Sequence, residues 1–243
     1  MKKFFLSIFI LLLIVILGVG YYLFQRKIYY RDFGILIPRD YTVHGIDVSR
    51  YQGFINWNQV AKMKDKDIQL KFAFIKATDG LSYTDIFFKI NWYRCKQNGL
   101  KRGAYLYFHP SISGKKQALN FIKNVDLQKG DFAPVVDFEE AENLTKDEIL
   151  KQLSSCLITL KKKYKCTPII YANANFYEMY LQDDFSEYPI WIAHYNRLSS
   201  PRIKDDWQFW QHSCKGNVNG IKGDVDFNVF NGSYPELQEY CLE

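Results

Sequence analysis

Acidic residues interrupt three apolar runs of this 243-residue sequence. One run reads Ala133-Pro134-Val135-Val136-Asp137-Phe138-Glu139-Glu140, the second Gly45-Ile46-Asp47-Val48-Ser49, the third Gly223-Asp224-Val225-Asp226-Phe227-Asn228. A carboxylate in apolar surroundings costs free energy to bury, so each needs a partner or a task. Side chains alternate faces along an extended strand, which puts Asp137 and Glu139 on one face and Phe138 and Glu140 on the other. That assignment requires the strand to stay regular through Glu140, without a bulge. Two carboxyls held close resist ionising together, which raises the pKa of at least one. Such a pair offers a protonated acid beside an ionised partner at neutral pH, as cleavage of a glycosidic bond requires. The same pair could instead bind a cation or cap neighbouring backbone.

Other chemistries find less support. His44, His109, His194 and His212 are scattered and form no His-Glu-x-x-His helix. No Gly-x-Ser-x-Gly elbow and no phosphate-cradling loop is present. Cys95, Cys156, Cys166, Cys214 and Cys241 include no Cys-x-x-Cys, so no metal and no cofactor is expected. One or two disulfides, or simply small buried hydrophobes, are both compatible with their spacing. Aromatic residues make up 17% of the chain. Aromatic faces suit the C–H faces of sugar rings, although half or more must serve as barrel filling.

The elements that must position these residues alternate. Strands are expected at Val43–Val48, Lys71–Ala77, Gly103–Phe108, Phe132–Phe138, Pro168–Tyr171, Pro189–His194, Trp207–Gln211 and Val225–Val229. Helical patterns fall at Asn56–Lys64, Asp85–Asn98, Ser113–Val125, Thr145–Lys163 and Asn175–Leu181, the fourth opened by a Thr145/Glu148 capping box. After about residue 182 helices disappear. Alternation of this kind implies parallel strands with crossover helices, so the expected fold is α/β, a TIM-like β/α barrel with an incomplete helical ring. An open doubly wound sheet would want a glycine-rich loop after its first strand, and none is present. In such barrels reactive groups gather at the C-terminal ends of the strands.

Ahead of the barrel, Phe4 to Phe24 is an uncharged apolar run of 21 residues. At about 1.5 Å rise per residue it can just cross the roughly 30 Å hydrocarbon core of a bilayer. It ends without a small-x-small exit site, so an uncleaved membrane anchor is expected over a cleaved secretory signal. Lys2 and Lys3 favour an N-terminus inside, while Arg26, Lys27 and Arg31 weaken that signal. Residues 1–31 are thus read as anchor or signal, 32–42 as a linker and 43–243 as the barrel domain, outside the cytoplasm. Five of the chain's 32 basic residues and none of its 26 acids lie in 1–31, leaving 27 basic against 26 acidic. A nearly neutral domain gives no support for nucleic-acid binding, which would need a concentrated basic face, and no nucleic-acid partner is expected.

Motifs in order then resemble a known family. His44-Gly45-Ile46-Asp47-Val48-Ser49 with Tyr51-Gln52-Gly53 and Ile55-Asn56-Trp57; Phe74-Ile75-Lys76-Ala77-Thr78; Arg102-Gly103-Ala104-Tyr105; Pro134 to Glu139; Trp191-Ile192-Ala193-His194-Tyr195; Trp210-Gln211-His212-Ser213; and Val225-Asp226-Phe227-Asn228 resemble the glycoside hydrolase family 25 lysozymes, the Chalaropsis-type muramidases. The resemblance runs from His44 to about Ser233. It implies a reduced-helix β/α barrel that hydrolyses the β-1,4 bond between N-acetylmuramic acid and N-acetylglucosamine in peptidoglycan glycan strands. It implies Glu139 as general acid, Asp137 as partner carboxylate assisting the substrate's acetamido group, and Asp47 and Asp226 as further acids of the floor. Tyr105, Tyr107, Tyr171, Trp191, His194, Tyr195, Trp210 and Gln211 are the candidate substrate contacts, and a monomer is expected. Asp79 stands where the family often has Glu, and Leu106 where it often has His, which touches substrate contacts rather than the acids. A non-catalytic peptidoglycan-binding module on the same fold is the alternative. A chitinase-like enzyme would want an acid at position 135, which is Val.

Overall fold

The structure is a computed structural model that describes residues 2–25 and 27–243. The orientation argument resting on Arg26, and on the Lys2 and Lys3 side chains, lies outside what is described. In chain order come α1 (Lys2–Gln25), β1 (Lys27–Tyr30), β2 (Ile35–Pro38), β3 (Val43–Val48), α2 (Trp57–Lys62), β4 (Lys64–Asp65), β5 (Ile68–Asp79), β6 (Tyr83–Thr84), α3 (Phe88–Gln97), β7 (Lys101–Tyr107), α4 (Gly114–Asn124), β8 (Val135–Asp137), α5 (Lys146–Tyr164), β9 (Ile169–Asn173), α6 (Ala174–Phe176, running into a π-helical turn at Tyr177–Leu181), β10 (Ile190–Ala193), β11 (Phe209–Gly216) and β12 (Val225–Phe230). The Thr145/Glu148 capping box opens α5 as expected.

Eight strands close a barrel in the order β3-β5-β7-β8-β9-β10-β11-β12, with β12 pairing back onto β3. All eight coincide with runs picked out in the sequence. Seven are parallel; β12 is antiparallel to both neighbours, against the expectation of a parallel set. The reason lies in the connection. Only residues 217–224 separate β11 from β12, and a parallel crossover takes a dozen residues or more. So short a loop can only turn the chain back.

Alternation along the strands divides the apolar residues into two cores. Val43, Phe72, Phe74, Phe132, Val135, Trp191 and Phe209 fill the barrel interior. Ile46, Ile75, Leu106, Val136 and Ile170 face outward against Trp57, Phe88, Phe121 and Leu157 from the helices. Each fully buried side chain of this size contributes about 1.5–3 kcal/mol. The interior aromatics need room, and two glycines provide it. A Cβ on Gly45 or Gly103 would lie 2.4 Å from the ring of Phe72 or Phe74 respectively.

Residues 32–42, expected as a linker, are structured. β1 and β2 form an antiparallel hairpin that buries Tyr30, Phe33, Ile35 and Ile37. Phe33 packs edge-on against Phe227, at 5.1 Å between ring centroids. The Asn217 N–H donates to the Phe33 carbonyl at 2.8 Å, and the Tyr30 hydroxyl donates to Asp67 Oδ1 at 2.8 Å. Phe227 faces out of the barrel because its neighbours Asp226 and Asn228 face in. The hairpin therefore covers β12 where the ring of helices is missing. By contrast, Phe4–Tyr22 of α1 is exposed throughout and is long and apolar enough to cross a membrane or to act as a secretory signal.

Candidate active site

Inward-facing positions at one end of the barrel bring the acids together. Asp47 ends the inward series Val43, Gly45, Asp47 on β3, and Asp137 is the last residue of β8. Asp226 is the second residue of β12, and its antiparallel register places it opposite Asp47. Had β12 run parallel, Asp226 would sit at the opposite end of the barrel. The expectation of acids at C-terminal strand ends thus holds for Asp47 and Asp137 and fails in its reason for Asp226.

These three acids and Glu139 line one cavity of about 250 Å³. Of the candidate substrate contacts, Tyr105, Tyr107, Tyr171, Trp191, Tyr195 and Gln211 line it too. Glu139 lies beyond β8, so strand alternation does not explain its direction. Its neighbours do. The Tyr107 hydroxyl donates to Glu140 Oε1 at 2.5 Å, and His109 Nδ1 lies 3.0 Å from Glu142 Oε1. Those two contacts pin the loop and leave Glu139 facing the cavity.

His194 and Trp210 are not brought to the cavity. The His194 ring meets Arg197 Nε at 2.5 Å and the Arg202 N–H at 3.3 Å, while its carbonyl accepts from Trp210 Nε1 at 2.9 Å. Trp210 is buried on the outer face beside Tyr41 and Trp207. Because Gln211 points inward, its neighbour Trp210 cannot. Sequence reasoning missed Ser49, Tyr51 and Lys76, which line the cavity. It also missed Asn228 behind them. A lysine inside Phe74-Ile75-Lys76-Ala77 and an amide two residues after Asp226 were the available signals.

A polar network fixes the floor. Asp47 Oδ2 accepts from Gln211 Nε2 at 2.8 Å and from Asn228 Nδ2 at 2.7 Å. Gln211 Oε1 accepts from the hydroxyls of Tyr171 (2.9 Å) and Tyr195 (2.6 Å). Asn228 Oδ1 accepts from Trp191 Nε1 at 2.7 Å. Both amides are thereby held with NH₂ toward Asp47, since only their oxygens can accept.

Electrostatics follow from burial of four acids with one nearby cation. Burial pushes Asp47 up to about 6 and the Glu139 charge adds, against its two amide donors. Burial, then Asp47, push Asp226 up to about 8. Asp137 is raised well above the usual range by burial and by Glu139, with Lys76 opposing. Glu139 is raised by burial and by the neighbouring Glu140 charge, with Lys76 opposing. Such a site holds protons at neutral pH. Asp137 Oδ1 is buried and has no hydrogen-bond partner among the described residues.

Beside the cavity, His109, Glu140 and Glu142 have the donor types for a cation. Both His109 nitrogens already face carboxylates, Asp79 at 2.8 Å and Glu142 at 3.0 Å. That is the arrangement of a protonated imidazole, whereas a metal ligand must present a lone pair.

Comparisons with known proteins bear on the family and the fold. The profile of the family described as Glycosyl hydrolases family 25 matches residues 46–221. The Escherichia coli (strain K12) protein called "Uncharacterized protein YegX" is 49% identical over 210 residues, covering 86% of this chain and 77% of that one. Lysozyme M1 of Streptomyces globisporus is 33% identical over 211 residues, 80% of this chain and 70% of that one. A solved family 25 glycosyl hydrolase from Bacillus anthracis superposes with a TM-score of 0.78 at 32% identity, over 84% of this chain and 96% of that one.

Proposed function

The chain belongs to glycosyl hydrolases family 25 and is a glycoside hydrolase of the lysozyme type, and from that premise we propose that it cleaves the β-1,4 bond between N-acetylmuramic acid and N-acetylglucosamine with Glu139 as general acid. The observation that carries the mechanism is the orphaned Oδ1 of Asp137 beside Glu139. A buried oxygen without a donor waits for one. The acetamido N–H of the sugar is the donor that fits. Its arrival favours the ionised form of Asp137, and the proton the two carboxyls resist losing is left on Glu139.

The steps then follow. Glu139 protonates the glycosidic oxygen as that bond breaks. The sugar's acetamido oxygen attacks the anomeric carbon, and ionised Asp137, supported by Lys76, steadies the positive charge spreading over the amide. Glu139, now a carboxylate, takes a proton from water as the water opens the cyclic intermediate, with retention of configuration. Asp47 and Asp226 form the floor and keep the site acidic. Tyr105, Tyr171 and Trp191 form the aromatic wall beside the acids. One chain supplies each of these groups, which is what a monomeric enzyme would need. In this reading residues 4–24 anchor it in a membrane, with the barrel outside the cytoplasm.

The full chain in detergent is expected to release reducing ends from peptidoglycan, and mass spectrometry of the products to find muramic acid at those ends. Glu139→Gln should lower the rate at least about a hundredfold, the size of a lost general acid, with melting unchanged. Binding of glycan without turnover by the wild type would overturn the reading.

A further inference from the structure

Two lysines near the cavity are paired with acids, and Arg197 with a histidine ring. Lys76 Nζ bonds Asp79 Oδ2 at 2.8 Å, Lys215 Nζ bonds Asp224 at 2.9 Å, and Arg197 meets His194. Arg50 differs. Its guanidinium has no carboxylate partner among the described residues. It lies instead near two tyrosine rings, 5.2 Å from the centroid of Tyr51 and 5.3 Å from that of Tyr83, and donates to the Tyr83 hydroxyl at 2.9 Å. Tyr51 and Ser49, its chain neighbours, line the catalytic cavity.

The turn that presents Arg50 is built rigidly. Ser49 Oγ accepts from the Tyr51 N–H, and the Ser49 N–H donates to Gln52 Oε1 at 2.9 Å, closing a capping box over residues 50–52. The Arg50 N–H donates to Asp85 Oδ2 at 2.7 Å, and Gln52 Nε2 donates to the Asp224 carbonyl at 3.2 Å. A guanidinium held by two rings and a hydroxyl loses less freedom on binding an anion than a loose lysine would, and its fork matches a carboxylate.

The cavity itself offers an incoming anion no free cation: it is lined by Asp47, Asp137, Glu139 and Asp226, and Lys76 is already bonded to Asp79. Yet the substrate of the proposed reaction is anionic at one sugar in two. The muramyl 3-position carries a lactyl branch that ends in a carboxylate, or in a peptide bearing carboxylates. We propose that Arg50 is a specificity residue that pairs with a carboxylate on the muramyl branch, and so registers the glycan strand with a muramyl unit at the cavity mouth. This inference rests on the muramidase reading above.

Its test uses the full chain in detergent and three substrates: peptide-bearing strands, bare strands with free lactyl carboxylates, and bare strands whose carboxylates have been amidated. Arg50→Gln is expected to raise KM about fivefold on a charged substrate, the size an exposed pair supplies, with kcat moved less than about twofold. On amidated strands the wild type should lose its advantage over the variant. Added salt should weaken wild-type binding to charged strands more than it weakens the variant's. Arg50→Lys should recover part of the KM. A loss on bare strands alone identifies the lactyl carboxylate, and a loss on peptide-bearing strands alone identifies the peptide. An equal loss on amidated strands, or no loss on either charged substrate, overturns the assignment while leaving the muramidase reading intact. A wild type that cleaves none of the three overturns both.

Discussion

Asp226 stands directly opposite Asp47 in the antiparallel register of β12 and β3, so two carboxylates from opposite ends of the chain share one buried floor. Their raised values, about 8 and about 6, mean that the native state keeps protons the unfolded chain releases near pH 4. Stability should therefore fall as pH rises from about 4 to about 8, because the native form binds more protons throughout that window. Asp226→Asn removes one charge and should flatten the profile, gaining on the order of 2 kcal/mol over wild type at pH 8. Denaturant melts across that range measure it. Parallel profiles for the two proteins would show that the pair does not share its charge.

Lys76 is the cation that opposes the raised values of Asp137 and Glu139. Lys76→Met should let both keep their protons to higher pH. The pH profile of kcat/KM is expected to shift to the alkaline side by on the order of one unit, and its maximum to drop about tenfold as Asp137 loses its countercharge. An unmoved profile would remove Lys76 from the electrostatics of the site.

The hairpin of β1 and β2 should behave as part of the barrel. Phe33 is fully buried, so Phe33→Ala should cost about 3 kcal/mol and lower Tm by about 6–12 °C. A chain beginning at Val43 should melt well below one beginning at Lys27. Equal melting of the two would make the hairpin an accessory after all.

His109 is held between Asp79 and Glu142. Burial alone would lower its pKa, but the two carboxylates together outweigh burial and raise it. A raised histidine stabilises the fold fully below its unfolded value near 6.5 and stops doing so as pH climbs through the folded one. The stability gap between wild type and His109→Gln should be widest near pH 5 and close toward pH 9. It should stay below about 1 kcal/mol, because the groups are partly exposed. A gap independent of pH would mean that packing, not charge, is what His109 supplies.

How far the chain could be read depended on which physical signal each residue carried. The eight barrel strands announced themselves as apolar runs, and the four acids stood out because burial of a charge is costly. The direction of β12 was not legible, because a strand ending at Gln211 leaves thirteen residues before Val225, enough for a crossover; only the extension of β11 to Gly216 shortens the connection to eight. Trp210 and Gln211 cannot both be contacts, since neighbours in a strand face opposite ways. The hairpin escaped because each strand is four residues long, and the buried-exposed-buried alternation of Ile35-Leu36-Ile37 sits next to a far stronger apolar run. Glu139 was assigned to the cavity by an alternation that stops at Asp137. What directs it is a pair of long-range contacts, Tyr107 with Glu140 and His109 with Glu142, and no local pattern encodes those.

One consequence follows from the junction of α1 and β1. Helix α1 ends at Gln25 and the hairpin begins at Lys27, which leaves at most about 7 Å of chain between them. If the helix spans a bilayer, the barrel has no leash. A domain of this size is about 45 Å across, so its reach is one body's width from the lipid surface. Catalysis by such an enzyme would scale with its density in the membrane plane rather than with its concentration in a volume. Wall layers farther out would be untouched until they moved inward or the protein was cut free.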